Sequence, residues 1–227
     1  MKISVLDSGF VRLVDAMGTD LSVVRAARVS YDADWRAGSD TGSDERLIAY
    51  LMEHKHSTPF EAVCFTFEVK APIFIFRQWH RHRTWSYNEV SARYTELDEG
   101  YYLPSPDKIG LQSKTNKQVR DIPIEGQPTD AQVKAAHLIG TTCEAAFSSY
   151  KALLEAGVPR EIARSVLPVA TYSRMFATVN LHNLMHFLRL RMHSHAQWEI
   201  RQYANALCDL AGSICPVTIR EFRKSLE

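Results

Sequence analysis

Residues 61–72 read EAVCFTFEVKAP, and their period of two sets the frame for the rest of the chain. Ala62, Cys64, Thr66 and Glu68 fall on one side, and Val63, Phe65, Phe67 and Val69 on the other. Such alternation marks a half-buried strand. Pro72 follows, then the apolar run IFIFRQWH, which predicts a helix with proline in its first turn, reaching about His82.

Working toward the N-terminus, Leu47, Ile48, Leu51 and His54 repeat at helical spacing. Residues 32–44 are rich in Asp, Gly and Ser and predict a loop. Asp20 is placed to cap a helix over 21–29, and residues 2–17 form two alternating runs around Ser8-Gly9, a hairpin.

Working toward the C-terminus, Leu103 to Thr129 turns polar and carries Pro104, Pro106, Gly110, Pro123, Gly126 and Pro128, the signature of a long loop or insertion. Asp130 is placed to cap a long helix ending near Gly157. Pro159 starts a short helix and Pro168 closes it. Thr171 to Asn180 predicts a strand. Helices follow over Leu181–Met192, over Ala196–Gly212 and after Pro216. The order is mixed α/β without regular βαβ alternation: a mixed sheet flanked by helices, in one domain over 1–227. No internal repeat is evident.

The 227 residues are 45% hydrophobic and 23% charged, which excludes a disordered chain. A net charge of +1 argues against a general nucleic-acid or membrane-surface binder. Cys64, Cys143, Cys208 and Cys215 form no C-x-x-C pair and read as reduced thiols. The N-terminus lacks an apolar signal core, and no apolar run reaches about 18 residues. The expectation is a cytoplasmic protein outside the membrane.

The ten glycines form neither G-x-G-x-x-G nor a P-loop, so any dinucleotide binds by a non-Rossmann route. No G-x-S-x-G occurs. Three His-x-His pairs are present, at His54/His56, His80/His82 and His193/His195. The second is flanked by Arg81 and Arg83, whose charge opposes a cation, and no metal site is expected.

The charge balance conceals 18 Arg against 9 Lys. A guanidinium fork grips phosphate and carboxylate bidentately, although surface Arg is also ordinary. Four of these arginines lie in 77–94, RQWHRHRTWSYNEVSARY, with two His and the single carboxylate Glu89. Arg77 and Arg81, four apart, are expected on one helix face. Beyond Arg83 the turn- and cap-forming types Ser86, Asn88 and Ser91 predict a loop. Hydroxyls, backbone N–H groups and guanidinium forks together suit a phosphate plus a nucleobase. The plainer alternative is a solvated basic helix and a turn, which would leave Trp79, Trp85 and Tyr87 in water.

A second group, Arg160, Arg164, Arg174, Arg189, Arg191 and Arg201, lies further on. Over 181–192, His182, His186 and Arg189 share a face apart from the apolar stripe of Leu181, Leu184, Met185 and Leu188. Arg191 falls in phase with that stripe. It needs a partner there, or it snorkels to water from the helix end.

The spacing Arg81-His82-Arg83-x-x-Ser86-x-Asn88-Glu89-x-Ser91-x-Arg93 resembles the R-H-R-x-x-S-x-N-E-x-S-x-R signature of the flavin-dependent thymidylate synthases, the ThyX family. His56-Ser-Thr58-Pro-Phe-Glu61, Pro159-Arg-Glu-x-Ala-Arg164 and Ser194-His-Ala-Gln-Trp-Glu199 resemble the family as well. The resemblance covers most of the chain outside 103–129. It implies reductive methylation of dUMP to dTMP, with 5,10-methylenetetrahydrofolate as carbon donor, NADPH as reductant and FAD between them. No protein nucleophile is implied, and the family's homotetramers share active sites between subunits.

Carried over position by position, the resemblance implies that dUMP is held by Gln78, Trp79, His80, Arg81, Glu89, Val90, Ser91, Ala92, Arg93, Arg164 and Arg191. Arg191 matches the catalytic Arg that favours the N3-deprotonated uracil, as a fixed cation favours any nearby anion. For FAD the matches are Thr58, Arg81, His82, Arg83, Glu89, Asn180, Leu181, His182 and His186, with Ser30 as a further phosphate contact. His56 is matched to the folate or nicotinamide entry. Two positions depart from the family pattern: His182 stands in place of Arg, and His186 in place of Asn. Two rival readings remain at this level. A single-stranded nucleic-acid platform predicts salt-dependent binding. A purely structural oligomer predicts no stabilisation by dUMP or FAD.

Overall fold

The computed structural model describes residues 1–122 and 127–226; Pro123 and Gly126 of the polar segment lie outside the described residues. Strands β1 (Lys2–Val5) and β2 (Gly9–Met17) form the expected hairpin. Its turn spans residues 6–8 with Leu6 at φ 59°, and Gly9 opens β2 opposite Val5. A Cβ on Gly9 would overlap Tyr203 Oη and stand 2.8 Å from Lys70 O, so only glycine permits this approach. Helices α1 (Asp20–Arg28) and α2 (Thr41–Glu53) follow. Then come β3 (Cys64–Pro72), α3 (Ile73–Trp79) and β4 (Ser86–Glu89). The segment expected as a long loop contains α4 (Pro106–Ile109) and a short ribbon of β5 (Leu111–Gln112) with β6 (Arg120–Asp121). The chain closes with α5 (Asp130–Glu155), α6 (Arg160–Ala163), β7 (Tyr172–Asn180), α7 (Leu181–Arg191), α8 (Trp198–Gly212) and α9 (Pro216–Lys224).

The main sheet has the order β1-β2-β3-β7-β4. The mixed α/β class stands, but every pairing in this sheet is antiparallel rather than mixed. The alternation in 61–72 reads as expected. Val63, Phe65, Phe67 and Val69 enter the core, joined by Met175, Ala177 and Val179 of β7 and covered by α3, α7 and α8. The opposite face keeps polar groups. Glu68 is buried there between Arg12 at 2.6 Å and Arg174 at 3.2 Å, and Thr66 meets Thr178 at 3.0 Å. An antiparallel sheet accepts such one-sided burial.

Four local expectations are corrected. Segment 84–91 is not only turns, because 86–89 pair with β7 as an edge strand. The four residues, Ser-Tyr-Asn-Glu, are too polar and too few to carry a strand period of their own, and β7 supplies the template. The helix α3 ends at Trp79 with His80 as its cap, so Arg77 and Arg81 do not share a helix face. Thr19 and Thr129, not Asp20 and Asp130, occupy the N-cap positions of α1 and α5, each in a reciprocal capping box. Asp20 instead turns to a distant helix, accepting from Val217 N at 2.8 Å and from Thr218 N at 3.0 Å.

Candidate active site

The motif segment is anchored by aromatics before it presents any polar group. Trp79 is fully buried and packs on Phe187 at 4.9 Å and Trp85 at 5.9 Å between ring centroids. Trp85 and His82 also lie on Phe187, at 5.2 and 4.7 Å. The turn between α3 and β4 is clamped by Tyr87. Its hydroxyl donates to the backbone carbonyls of Trp79 at 3.1 Å and His82 at 2.7 Å. Burial pushes the Tyr87 phenol well above its ordinary value, so it stays a neutral donor.

This clamp places His82 against the last turn of α7. Arg191 Nε donates to His82 Nε2 at 3.0 Å, and Arg191 Nη2 donates to the Gln78 carbonyl at 3.1 Å. The partner that an Arg on this stripe requires is therefore present. Burial, the Arg191 charge and then His186 push the His82 pKa down to about 4, so the ring is neutral and can accept. The Gln78 side chain reaches the start of α8, where Nε2 donates to Gln197 Oε1 at 2.5 Å. Gln78, His82, Arg191 and Gln197 thus form one corner, built from α3, the turn after it, α7 and the start of α8.

A second group gathers below β4. Val90 N donates to Arg174 O at 2.8 Å, which sets the course of the 90–93 turn, and the Ser91 hydroxyl accepts from Arg93 N at 3.3 Å. The Arg93 guanidinium lies 3.6 Å from Glu161, whose carbonyl accepts from Arg164 Nε at 3.4 Å. Two exposed guanidinium groups and a hydroxyl therefore collect beside one short helix, a donor set suited to phosphate. Glu89, Arg81 and Arg83 are exposed near this edge.

The third element is a cleft of about 550 Å³ between α2, α7 and α9. His182, His186 and Arg189 line it from one face of α7, with Met185 and Phe222 giving apolar surface and Lys55 and Ser57 the opposite wall. The helical face read from sequence is thus realised, and it opens into this cleft. Asn180 caps α7 by accepting from Asn183 N at 2.9 Å. Thr58 is exposed on the short turn beside Ser57. His82 and His186 are 6.1 Å apart between ring centroids, so α7 joins the cleft to the Arg191 corner.

The side chains of two expected contact residues lie in the core. The Trp79 indole is sealed in the core, and the Trp79 carbonyl is taken by Tyr87 and by His82 N at 2.9 Å. Leu181 is also fully buried, and its N–H donates to Val63 O at 2.8 Å. Ala92 is mostly buried. Ser30 is exposed beyond the C-terminal end of α1, and nothing in the contacts joins it to the other positions. His80 is half-buried against Tyr87 at 4.8 Å. His56 is exposed and lies edge-on to Tyr50. Gln197 went unassigned, although it stands inside the Ser194–Glu199 motif. Its side-chain bond to Gln78 is the signal that identifies it.

Comparison with known proteins gives one consistent result. The family model described as "Thymidylate synthase complementing protein" matches residues 12–217. A flavin-dependent thymidylate synthase of Thermotoga neapolitana is 49% identical over 224 residues, covering 99% of this chain and 95% of that protein. An enzyme of the same description from Thermus thermophilus is 47% identical over 226 residues, covering all of this chain and 80% of that protein. Among solved structures, a UMP/dUMP methylase, PolB, from Streptomyces cacaoi bound with 5-Br dUMP superposes with a TM-score of 0.85. It is 41% identical, and the match covers 98% of this chain and 97% of that one.

Proposed function

The chain belongs to the flavin-dependent thymidylate synthases, and from that membership we propose its full reaction: reductive methylation of dUMP to dTMP, with 5,10-methylenetetrahydrofolate as carbon donor, NADPH as reductant and FAD as the flavin. It is a methyltransferase of the dUMP-methylating kind. The observation that carries the site assignment is the Arg191 guanidinium, held by neutral His82 and the Gln78 carbonyl with no carboxylate among those contacts.

In this reading Gln78, Arg81 and Arg191 hold the uracil end of dUMP. Glu89 and the Val90–Arg93 turn, together with Arg164, hold the ribose and phosphate. His80 and Ala92 shape the wall, and Trp79 acts from behind it. Arg191 stabilises negative charge on the ring once N3 has lost its proton, which enriches C5 for attack on the one-carbon unit. His82 serves that role by keeping the guanidinium oriented without neutralising it.

Among the described residues, the α7 cleft holds one carboxylate, Glu53, against Lys55, Arg189, His182 and His186, and this donor set fits an anionic, partly aromatic ligand. His182, His186, Thr58, Arg83 and the N-terminal end of α7 at Asn180 would hold FAD, with Ser30 reached only across the assembly. FAD, when bound, supplies hydride that originates from NADPH. Three of the four thiols support a scheme without a protein nucleophile. Burial pushes Cys143 and Cys208 upward and Cys215 to about 12, where thiolate is scarce at neutral pH.

The assembly in this reading is a homotetramer of single-domain subunits with shared sites. Its support is the sheet face left open around Phe176 and Arg174, and the exposure of Tyr31 and Trp35. The four cysteines are unpaired, as in a cytoplasmic enzyme, and among the described residues no helix is long and apolar enough to cross a membrane. The test is NADPH oxidation dependent on dUMP, measured with and without FAD and methylenetetrahydrofolate. Oxidation coupled to dTMP formation supports the reading. A protein that gains no flavin absorbance when incubated with FAD overturns it.

A further inference from the structure

Glu199 is a buried carboxylate, only 2% exposed, that the proposed reaction does not use. It accepts from Arg120 through both oxygens, Nη2 to Oε1 at 2.6 Å and Nη1 to Oε2 at 3.1 Å. It also accepts from Tyr102 Oη at 3.1 Å and from Gln197 Nε2 at 2.9 Å. Burial raises its pKa, but the hydrogen bonds and charge of Arg120 outweigh that and hold it below the usual carboxylate value. Arg120 comes from the polar segment, where Nε donates to Lys108 O at 2.7 Å.

An ionised carboxylate only accepts. Gln197 must therefore turn its NH2 group to Glu199, which directs its own carbonyl to Gln78. Gln78 must then give its NH2 group to Gln197, as the 2.5 Å contact between Gln78 Nε2 and Gln197 Oε1 records. Which way an amide is turned normally has to be inferred from its hydrogen-bond network. Here a charge at one end of the network dictates both amides in sequence.

We propose that Arg120 and Glu199 are positioning residues for the nucleotide base: through Gln197 they lock the Gln78 amide in one of its two flips, and the lock makes the site select uracil over cytosine. The two bases differ at C4, where uracil carries a carbonyl acceptor and cytosine an amino donor. An amide free to turn over serves either base. With one Nε2 hydrogen given to Gln197, the locked amide keeps its second Nε2 hydrogen as the donor for the uracil O4, and the amino group of cytosine would set donor against donor there, the most discriminating kind of mismatch. The inference rests on the reading that places Gln78 at the dUMP base.

The test uses the FAD-loaded enzyme and three variants, Glu199→Gln, Arg120→Gln and Gln78→Ala. Affinities for dUMP and dCMP are measured by calorimetry, with flavin absorbance and melting temperature recorded alongside. A neutral amide at position 199 both donates and accepts, so Gln197 and Gln78 become free to turn. The dUMP-over-dCMP affinity ratio is expected to fall roughly tenfold or more in Glu199→Gln, and in the same direction in Arg120→Gln. A purely structural role lowers both affinities together and leaves the ratio unchanged, which overturns the proposal. Should Glu199→Gln fail to fold, the ratio in Arg120→Gln decides. Unchanged dUMP affinity in Gln78→Ala overturns the underlying assignment instead. Loss of dUMP binding there, with an unchanged ratio in the other two variants, overturns the lock alone.

Discussion

Arg191 Nε donates to His82 Nε2 at 3.0 Å across 109 residues of sequence, tying the end of α7 to the arginine-rich turn. A cation beside a histidine ordinarily repels its protonated form, and here that is the useful property. The ring stays neutral, accepts the bond and leaves the guanidinium charge undiminished.

The first prediction concerns acid. The folded-state pKa of His82 is about 4, below the ordinary 6.5. Between those values the unfolded chain binds more protons than the folded one. The contribution of His82 to stability is therefore complete above about pH 6.5 and is lost as pH falls toward 4. Thermal unfolding of the wild type and His82→Gln should differ least at acid pH and most at neutral pH. Parallel curves across this window would show that His82 carries no such linkage.

The second concerns Arg191 itself. Arg191→Ala should lower kcat/KM for dUMP by roughly 100- to 1000-fold, the usual loss when a fixed charge facing a developing anion is removed. Flavin binding should survive, because the cleft residues lie on the other side of α7. Arg191→Lys should rescue little, since one ammonium cannot reach His82 Nε2 and the Gln78 carbonyl in the fork geometry. Steady-state kinetics with flavin stoichiometry measured on the same samples separate these outcomes.

How far the sequence carries the reader depends on whether a signal is local. The strand at 64–72 was legible because period-two alternation needs only neighbours, and the His182–His186–Arg189 face because helix geometry is fixed. The strand at 86–89 was not, since its pairing comes from β7, far along the chain. The family resemblance pointed to Arg191, His82 and Gln78 and to Trp79 as well, whose indole lies in the core, because a resemblance marks positions that matter without saying whether the side chain touches ligand or core. The ion pair of Arg120 with Glu199 had no sequence signal, as one partner sits in a polar stretch that reads as a loop.

That distinction gives the third prediction. Trp79→Ala should destabilise the fold by about 3–5 kcal/mol, the cost of emptying a large aromatic site in a packed core. Trp79→Phe keeps much of the contact with Phe187 and Trp85, and should bind dUMP like the wild type despite a lower melting temperature. A selective loss of dUMP affinity in Trp79→Phe, with unchanged stability, would return the indole to the ligand contacts.

The fourth concerns the outer face of the sheet. Glu68 is buried and both its partners, Arg12 and Arg174, are largely exposed. Removing either Arg alone should cost little, about 0–1 kcal/mol, because solvent screens its charge and the other Arg remains. Glu68→Ala does more damage: it leaves two guanidinium groups facing each other with no carboxylate between them, and should cost more than either Arg variant. Chemical denaturation of the three single variants tests the order. If Arg174→Ala proves the most destabilising, its side chain is engaged elsewhere in the assembly.

The last prediction separates a cap from a strut. Asp20 is the first residue of α1, yet its carboxylate accepts from Val217 N at 2.8 Å, Thr218 N at 3.0 Å and Thr218 Oγ1 at 2.6 Å. It thus satisfies the free N–H groups at the start of α9, a service normally given by the cap residue of the same helix. The local cap position of α9 is Cys215, whose side chain makes no such bond. Asp20→Ala should therefore cost about 1–2 kcal/mol, as losing an N-cap does, and amide exchange should rise at the first turn of α9 rather than in α1. Thr19→Ala should show the reverse pattern, with faster exchange at the start of α1 and α9 unaffected. Faster exchange confined to α1 in both variants would mean that Asp20 acts only on its own helix.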